Sequence, residues 1–327
     1  MNQKLKHYGI NFGIILILYF ILFGAINSGV INGYHEGIII MAGINIILAV
    51  SLNLTTGFLG ELTLGHAGFM AIGAYTAALA SMNMELPSVM QLIVSIIIGG
   101  LVAAIFGFLI GMPALRLRGD YLGIITLGFG EMIRVIITNL EITGGAVGLK
   151  GIALLSDFTN VYWVTILTIV IIFMFINSRH GRSVIAIREN EIAAEAVGVP
   201  TAFYKIFTFA MSAFFAGIAG GLFAHYQTVL DPKKFDFMFS IEMLVMVVLG
   251  GMGSITGAIV SAIFLTLLPE LLRDFSDYRL LIYAILLIIT MLFKPSGLFG
   301  TKEFSIHQLI KGRKQSAKGK IEAGGSE

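Results

Sequence analysis

The sequence predicts an all-α polytopic membrane protein, a helical bundle of about 8–10 transmembrane helices with one short cytoplasmic helix. Only 12% of the 327 residues are charged and 57% are hydrophobic, whereas soluble domains carry roughly 25% charged residues. The charges are gathered in a few short connections between long apolar stretches. The 39 glycines suit closely packed membrane helices, because small residues let helix backbones approach each other.

Candidate spans follow from the apolar stretches, since a helix needs about 20 mostly apolar residues to cross a bilayer. They are residues 9–31, 36–56, 62–82, 88–112, 121–140, 161–178, 203–228, 238–252, 255–273 and 279–294. The first is expected to be a retained helix, because its apolar run is too long for a signal peptide and lacks a good cleavage site. The glycine-rich stretch 249–254 is either a turn between two short spans or the tip of a re-entrant pair.

The basic residues predict the orientation, because cytoplasmic loops of membrane proteins are enriched in Lys and Arg. An even number of crossings puts most of them on one side. These residues are Lys4, Lys6, Arg116, Arg118, Arg179, Arg182, Arg188 and those of the tail. Lys233 and Lys234 fall on the other side as a small counter-signal. We therefore expect residues 1–294 to form a membrane domain with a cytoplasmic loop at 179–202, residues 295–327 to form a cytoplasmic tail, and both termini to be cytoplasmic.

Sequence motifs for catalysis or nucleotide binding are lacking. Residues 144–150 resemble a phosphate-binding loop, but the Gly-Lys-Ser/Thr ending is absent. The chain has no cysteine, which excludes disulfides, thiol catalysis and thiolate metal sites. A membrane-embedded enzyme would need clustered His, Asp and Glu at catalytic spacing, and no such cluster is visible. We therefore expect no catalytic residue, no metal and no cofactor on this chain, and the net charge of +2 does not indicate nucleic acid.

The loop at residues 179–200 is the most informative connection. It is rich in alanine and glutamate and is bounded by glycine and proline, which predicts a short helix. Such a helix would expose charge on one face and small residues on the other. Lying across the inner face of the bundle, it could dock into a groove on a partner. The alternative is an ordinary interfacial connector.

Several sequence blocks resemble the permease subunits of branched-chain amino-acid ABC importers, of the LivM type. The blocks are residues 57–69 (GFLGELTLGHAGF), 115–131 (LRLRGDYLGIITLGFGE), 143–149, the loop at 179–200, and 249–254 (LGGMGS) with Gly257. The resemblance covers most of the chain. It implies import of leucine, isoleucine or valine across a bacterial or archaeal plasma membrane, although related permeases import urea, short amides or other amino acids.

The resemblance also implies partners. These are a second permease of the LivH type, two ABC ATPase subunits that bind ATP and Mg²⁺, and an extracytoplasmic solute-binding protein. In such importers a cytoplasmic permease helix with a Glu-Ala-Ala-xxx-Gly pattern fits into a cleft on the ATPase. Here Ala193 and Ala194 precede Gly198 at the expected spacing, while the glutamate is displaced to Glu191. The predicted ATPase-docking residues within 188–198 are Arg188, Glu191, Ala193, Ala194, Glu195 and Gly198.

Polar residues inside the predicted spans are candidates for the translocation path. Thr63 and Thr126 could offer hydroxyl groups, or bond to their own helix backbone. His66 could be a ligand or a packing residue. Glu131 and Arg134 are three positions apart and share a helix face, as a path lining or as a structural ion pair. An ion-driven secondary transporter would use a mid-span carboxylate such as Glu131, although Arg134 would keep that carboxylate ionised.

Overall fold

The computed structural model describes residues 2–272 except Arg116 and Arg118, together with residues 281, 284, 285, 288, 292, 297 and 300. Side chains are described from residue 13 onward, apart from that of Asp120. The predicted span at 279–294 and the predicted tail at 295–327 therefore lie almost entirely outside the described residues.

Helices dominate the described part of the chain, which confirms the all-α class. They are α1 Asn2–Asn27, α2 Gly33–Asn53, α3 His66–Met82, α4 Ser88–Ala114, α5 Asp120–Asn139, α6 Phe158–Asn177, α7 Arg179–Glu189, α8 Glu191–Ala196, α9 Thr201–Gln227, α10 Phe237–Gly250 and α11 Ile255–Leu271. Within this part, five helices are long and apolar enough to cross a membrane, counting α2 with its extension to Leu59. Three further apolar segments are shorter, namely Gly13–Asn27 of α1, α10 and α11.

Helices α3, α4 and α9 pack most closely together and form the centre of the bundle. Their contact is built on glycines. A Cβ atom added at Gly73 of α3 would lie 2.2 Å from the Cα of Gly217 in α9, and one added at Gly99 of α4 would lie 2.6 Å from the carbonyl oxygen of Gly73. The three backbones are therefore in direct contact, the packing expected of helices in a membrane.

The region between α2 and α3 differs from the prediction of a helix over 62–82. Helix α2 continues as a wide π-helical turn, Leu54–Leu59, and ends at Gly60, whose φ of 81° is left-handed. Residues 61–65 are then non-helical, and α3 begins only at His66. We call residues 54–65 the helix break. The left-handed backbone of residue 60 ends the helix. Glycine suits this position because other residues adopt this conformation only at a steric cost.

The glycine-rich stretch at 249–254 forms a tight turn between α10 and α11. Gly251 and Gly253 both have positive φ, 114° and 84°. Helix α10 has 14 residues, so it is about 21 Å long, less than the ~30 Å hydrocarbon core of a bilayer. At the opposite ends of α6 and α9 from α7 and α8, the strands Leu149–Lys150 (β1) and Val229–Leu230 (β2) pair antiparallel.

Candidate functional site

The loop predicted to dock on a partner is a two-helix element, which we call the connector (residues 178–200). Where the sequence predicts one short helix the structure has two, because Asn190 is extended (φ −160°, ψ 105°) and separates α7 from α8. Each helix has its own N-cap. The Ser178 hydroxyl accepts hydrogen bonds from the backbone N–H groups of His180 and Gly181, and the Asn190 side chain accepts one from Ala193 N–H at 3.0 Å. Ser and Asn are preferred caps, because their oxygens satisfy free N–H groups of the first turn.

Gly198 forms a sharp reversal of the chain near the end of the connector. Its φ is +88°, and its N–H donates to the carbonyl of Glu195 while that of Val199 donates to the carbonyl of Ala194. Glycine is the residue that commonly takes this left-handed position after a helix. The reversal places α8 at the tip of the connector before α9 starts.

One face of the connector packs against the helix break. Val184, Ile187 and Ala194 form a buried cluster with Leu59 of the break. Ala194 is only 4% exposed. The opposite face of α8 is open, with Ile192 71% and Val197 80% exposed. Ala193, Glu195, Ala196 and Gly198 lie on this outward side as well. The connector thus combines an inward face that grips its own chain with an apolar outward tip.

Lys205, in the second turn of α9, joins the connector to the helix break. Its ammonium group lies 2.7 Å from a carboxylate oxygen of Glu61 and 2.9 Å from one of Glu191. The side chain of Lys205 is 5% exposed and that of Glu61 is 12% exposed. We call these three residues the charge clamp. Sequence reasoning did not single out Lys205, although a lone lysine inside an apolar span is itself a signal of function.

Arg188, in the last turn of α7, makes a second link. Its Nη1 donates to the carbonyl oxygen of Gly57 in the break at 2.9 Å, and its Nη2 pairs with Glu189 at 2.7 Å. The side chain fills space left by two glycines. An added Cβ would lie 2.6 Å from Arg188 Cγ at Gly60 and 2.8 Å from Arg188 Nη1 at Gly253. The guanidinium group therefore sits between the break and the turn at 251–254.

Asn53 completes the link between these two glycine-rich segments. Its side chain accepts a hydrogen bond from Gly253 N–H and donates one to the carbonyl of Ser254, both at 2.9 Å. The side chain is fully buried. Arg188 and Asn53 together hold the break, the turn and the connector in one polar junction.

The predicted path residues Thr63, His66 and Thr126 are all buried. The Nε2 atom of His66 lies 2.9 Å from the Ser51 hydroxyl of α2. The Thr126 hydroxyl bonds the carbonyls of Leu122 and Gly123 in its own helix and accepts from Leu64 N–H at 3.0 Å. Thr63 lies 3.4 Å from the Thr55 hydroxyl. In the structure Thr126 therefore joins the break to α5, His66 joins the start of α3 to α2, and the Thr63–Thr55 contact lies within the break.

Glu131 and Arg134 form the predicted pair on α5. Both Nε and Nη2 of Arg134 donate to Glu131 Oε2, at 2.8 and 2.6 Å. The two side chains are 30% and 28% exposed, for Arg134 and Glu131 respectively. Glu131 also borders a narrow crevice between α3, α5 and α10, too tight in this conformation for a water-sized sphere. Its other lining residues include Gly68, Asp236 and Ser240.

A metal site is not visible in the described part of the chain, where no three His, Asp or Glu side chains are grouped so that they could hold an ion.

A family model for the permease component of branched-chain amino acid transport systems matches residues 34–291. The chain belongs to this family. The matched region contains the helix break, the charge clamp, the connector and the Glu131–Arg134 pair, whereas α1 precedes it. The protein is thus a multi-pass membrane transport permease.

Relatives of this permease carry two names. The high-affinity branched-chain amino acid transport system permease protein LivM of Salmonella typhimurium is 39% identical over 293 residues, covering 79% of this chain and 68% of the relative. LivM of Escherichia coli is 39% identical over 290 residues, covering 78% and 67%. LivH of Escherichia coli is 26% identical over 285 residues, covering 79% and 91%. No solved structure matches the chain.

Proposed function

We propose that this permease is the membrane-spanning subunit of an ATP-binding-cassette importer for branched-chain amino acids, driven from the cytoplasm through the tip of the connector. The named relatives support the substrate class and the transport system. The observation that carries the mechanism is the exposed apolar tip of α8, formed by Ile192 and Val197.

An exposed apolar tip on a charged connector favours a protein partner. Ile192 lies on the six-residue helix α8 and Val197 is its C-cap, between a capping asparagine and a left-handed glycine, so backbone geometry holds both positions. Apolar side chains presented on a helix are suited to a hydrophobic groove on another protein. We assign docking contacts on the ATPase to the outward residues Ala193, Glu195 and Gly198 together with this tip.

The other three predicted docking residues take a different part in this proposal. Arg188, Glu191 and Ala194 face the permease itself, through Gly57, Lys205 and the buried cluster respectively. They would hold the connector on the membrane domain while the outward residues hold the ATPase. The family pattern of small residues is thus divided between an inner and an outer contact.

The complete importer in this proposal has three kinds of partner subunit. A second permease, of the LivH type, would complete the path, since relatives under both names match this chain. Two ATPase subunits would bind ATP and Mg²⁺, and an extracytoplasmic binding protein would select the amino acid. The distribution of Lys and Arg supports cytoplasmic termini in a bacterial or archaeal plasma membrane.

We assign the path to the polar face of α5. Glu131 and Arg134 lie well inside the span Tyr121–Asn139 and are only partly covered. Charged side chains that face lipid near the centre of a membrane helix cost about 2.5–3.5 kcal/mol each. This face is therefore better placed against water in a path, or against the second permease, than against lipid. Thr63, His66 and Thr126 would form the wall behind it.

Cysteine labelling tests the docking assignment directly, because the chain contains no native cysteine. Val197→Cys in inside-out vesicles is expected to react with a membrane-impermeant maleimide and to be protected when the ATPase subunits are bound. Ala194→Cys is the matched control on the same helix, and its burial predicts slow labelling in every condition. Labelling of Val197→Cys from the outer surface, or equal labelling with and without the ATPases, would contradict the assignment.

Uptake into liposomes tests the energy source. The assembled complex should import leucine with ATP and without an ion gradient. Gradient-driven uptake by the permease alone would instead support a secondary transporter. Direct binding of leucine, urea and short amides to the extracytoplasmic binding protein separates the substrate classes.

A further inference from the structure

We infer that Lys205 is a positioning residue that couples the connector to the helix break, so that a displacement of α8 is passed to the α3–α5 contact beside Glu131. This inference rests on the proposed function and adds to it the route by which motion enters the membrane domain.

The first step of the route is the charge clamp. The Lys205 ammonium lies between a carboxylate of the break and a carboxylate of α8, 2.7 Å from Glu61 and 2.9 Å from Glu191. Lys205 and Glu61 are withdrawn from water, Lys205 almost completely, whereas the Glu191 side chain is 27% exposed. Buried ion pairs are costly to break by losing one member, because the remaining charge is left uncompensated. The connector and the break should therefore stay together when the connector moves.

The second step adds links that act in parallel with Lys205. Arg188 joins the connector to Gly57 of the break, and its side chain also fills the space at Gly60 and Gly253. The apolar cluster of Leu59, Val184, Ile187 and Ala194 fills the space between the polar links. Close-packed protein transmits displacement with little compression, so this assembly can act as one piece.

The third step leads from the break to the crevice. Leu64, at the far end of the break, donates its N–H to the Thr126 hydroxyl of α5. A Cβ at Gly65 would lie 2.3 Å from the Thr126 carbonyl oxygen, which means that the two backbones touch there. Leu64 and Glu131 both line the crevice between α3, α5 and α10. A pull on Glu191 can therefore change the spacing between α3 and α5 at the candidate path.

A purely structural clamp is the competing explanation, and the ratio of uptake to ATP hydrolysis distinguishes the two. A variant that is only less stable loses uptake and hydrolysis together, in proportion to the folded complex that remains. A variant that loses transmission still assembles and still hydrolyses ATP, but it moves less amino acid for each ATP.

The experiment uses the full complex of both permeases, the ATPases and the binding protein in liposomes, with leucine as the substrate. For the Lys205→Met complexes that assemble, we expect about a tenfold fall in leucine imported per ATP, within the roughly 5- to 150-fold range of typical coupling free energies. Lys205→Arg should restore most of the ratio, because it keeps the charge. Lys234→Met, at an exposed lysine on the side of β2, is the matched control and should change nothing.

Glu191→Gln separates the two halves of the clamp. It weakens the contact with α8 while the Lys205–Glu61 pair stays intact, so it tests transmission even if Lys205→Met fails to fold. We expect a smaller fall in the ratio than for Lys205→Met. An unchanged ratio in assembled Glu191→Gln and Lys205→Met complexes, or a parallel loss of uptake and hydrolysis, would overturn the inference.

The wild-type complex distinguishes a failure of this inference from a failure of the proposed function. If the wild-type complex shows no ATP-driven uptake, the proposed function fails. If it imports leucine with ATP and the clamp variants keep the same ratio, only the role of Lys205 fails.

Discussion

The bundle centre and the connector junction are held together in opposite ways. In the centre, α3, α4 and α9 touch through Gly73, Gly99 and Gly217, and no side chain stands between their backbones there. At the junction, the connector is held by the charge clamp, by Arg188 and by a small apolar cluster. The contact at the bundle centre depends on glycines, which have no side chain. The contact at the junction depends on particular side chains.

The difference follows from the surroundings of the two regions. Lipid supplies no hydrophobic driving force between helices, so close backbone packing has to hold the centre. At the junction the buried ammonium group of Lys205 has two carboxylate partners, so ion pairs and hydrogen bonds can hold the contact there without leaving that charge uncompensated. A contact of the first kind suits a fixed frame. A contact of the second kind suits a part that, in the proposed function, moves together with the ATPase.

The largest expected effect is at the centre of the bundle. In Gly217→Leu, the first added carbon alone would lie 2.6 Å from Ala103 Cβ and 2.8 Å from the carbonyl oxygen of Gly99. Because backbone cannot yield as a side chain does, we expect a loss of about 3 kcal/mol or more. Unfolding of the purified permease in detergent measures it. Gly24→Leu on α1, where an added Cβ meets nothing within 4 Å, should be close to wild type, and equal stability of the two variants would refute the description of the centre.

A smaller, local effect is expected at the end of the connector. Gly198 has a φ of +88° and open space around it, so Gly198→Ala adds strain without a clash. The left-handed conformation costs a residue with a Cβ about 1–2 kcal/mol. Hydrogen exchange at residues 194–199 should become faster, while exchange in α3 and α9 stays unchanged. Gly24→Ala, at a helical glycine with open space around it, should not destabilise its helix. Unaltered exchange at the connector would show that the reversal at Gly198 is not under backbone strain.

The smallest effect is expected at the N-cap of α8. Asn190→Ala removes the acceptor for Ala193 N–H, and loss of such a cap costs about 1 kcal/mol. Hydrogen exchange in α8 should rise, and the exchange of α7, which is capped by Ser178, should not. Ser183→Ala, inside α7, is the control. Equal behaviour of α8 in both variants would mean that packing of Ala194, and not the cap, holds this helix in place.

Much of the fold could be predicted from the sequence, because the thickness of the bilayer sets the length of the apolar stretch that each membrane span needs. Helices α1, α4, α5, α6 and α9 lie close to the predicted stretches, and the connector occupies the predicted loop. The spacing of Glu131 and Arg134 also foretold their contact, since residues three apart on a helix are neighbours. The family followed from the glycine-rich blocks.

The contacts between the connector and the helix break could not be predicted from the sequence in the same way. The predicted helix over 62–82 begins late because Gly60 turns left-handed and because Arg188 binds the carbonyl oxygen of Gly57 just before it. Ser178 and Asn190 are the N-cap residues that begin α7 and α8, and both residue types are cap signals in the sequence.

Composition and the apolar stretches thus establish that this chain is a helical membrane protein, because both report on each segment and its immediate solvent, and the glycine-rich blocks add its family. Only the tertiary structure decides that Ala194 turns inward while Val197 turns outward, and that Lys205 meets Glu61 and Glu191. Glu61 and Lys205 lie far apart in the chain, and their contact depends on how α9 packs against the helix break. A single sequence shows which residues are charged, but it does not show which of them form ion pairs.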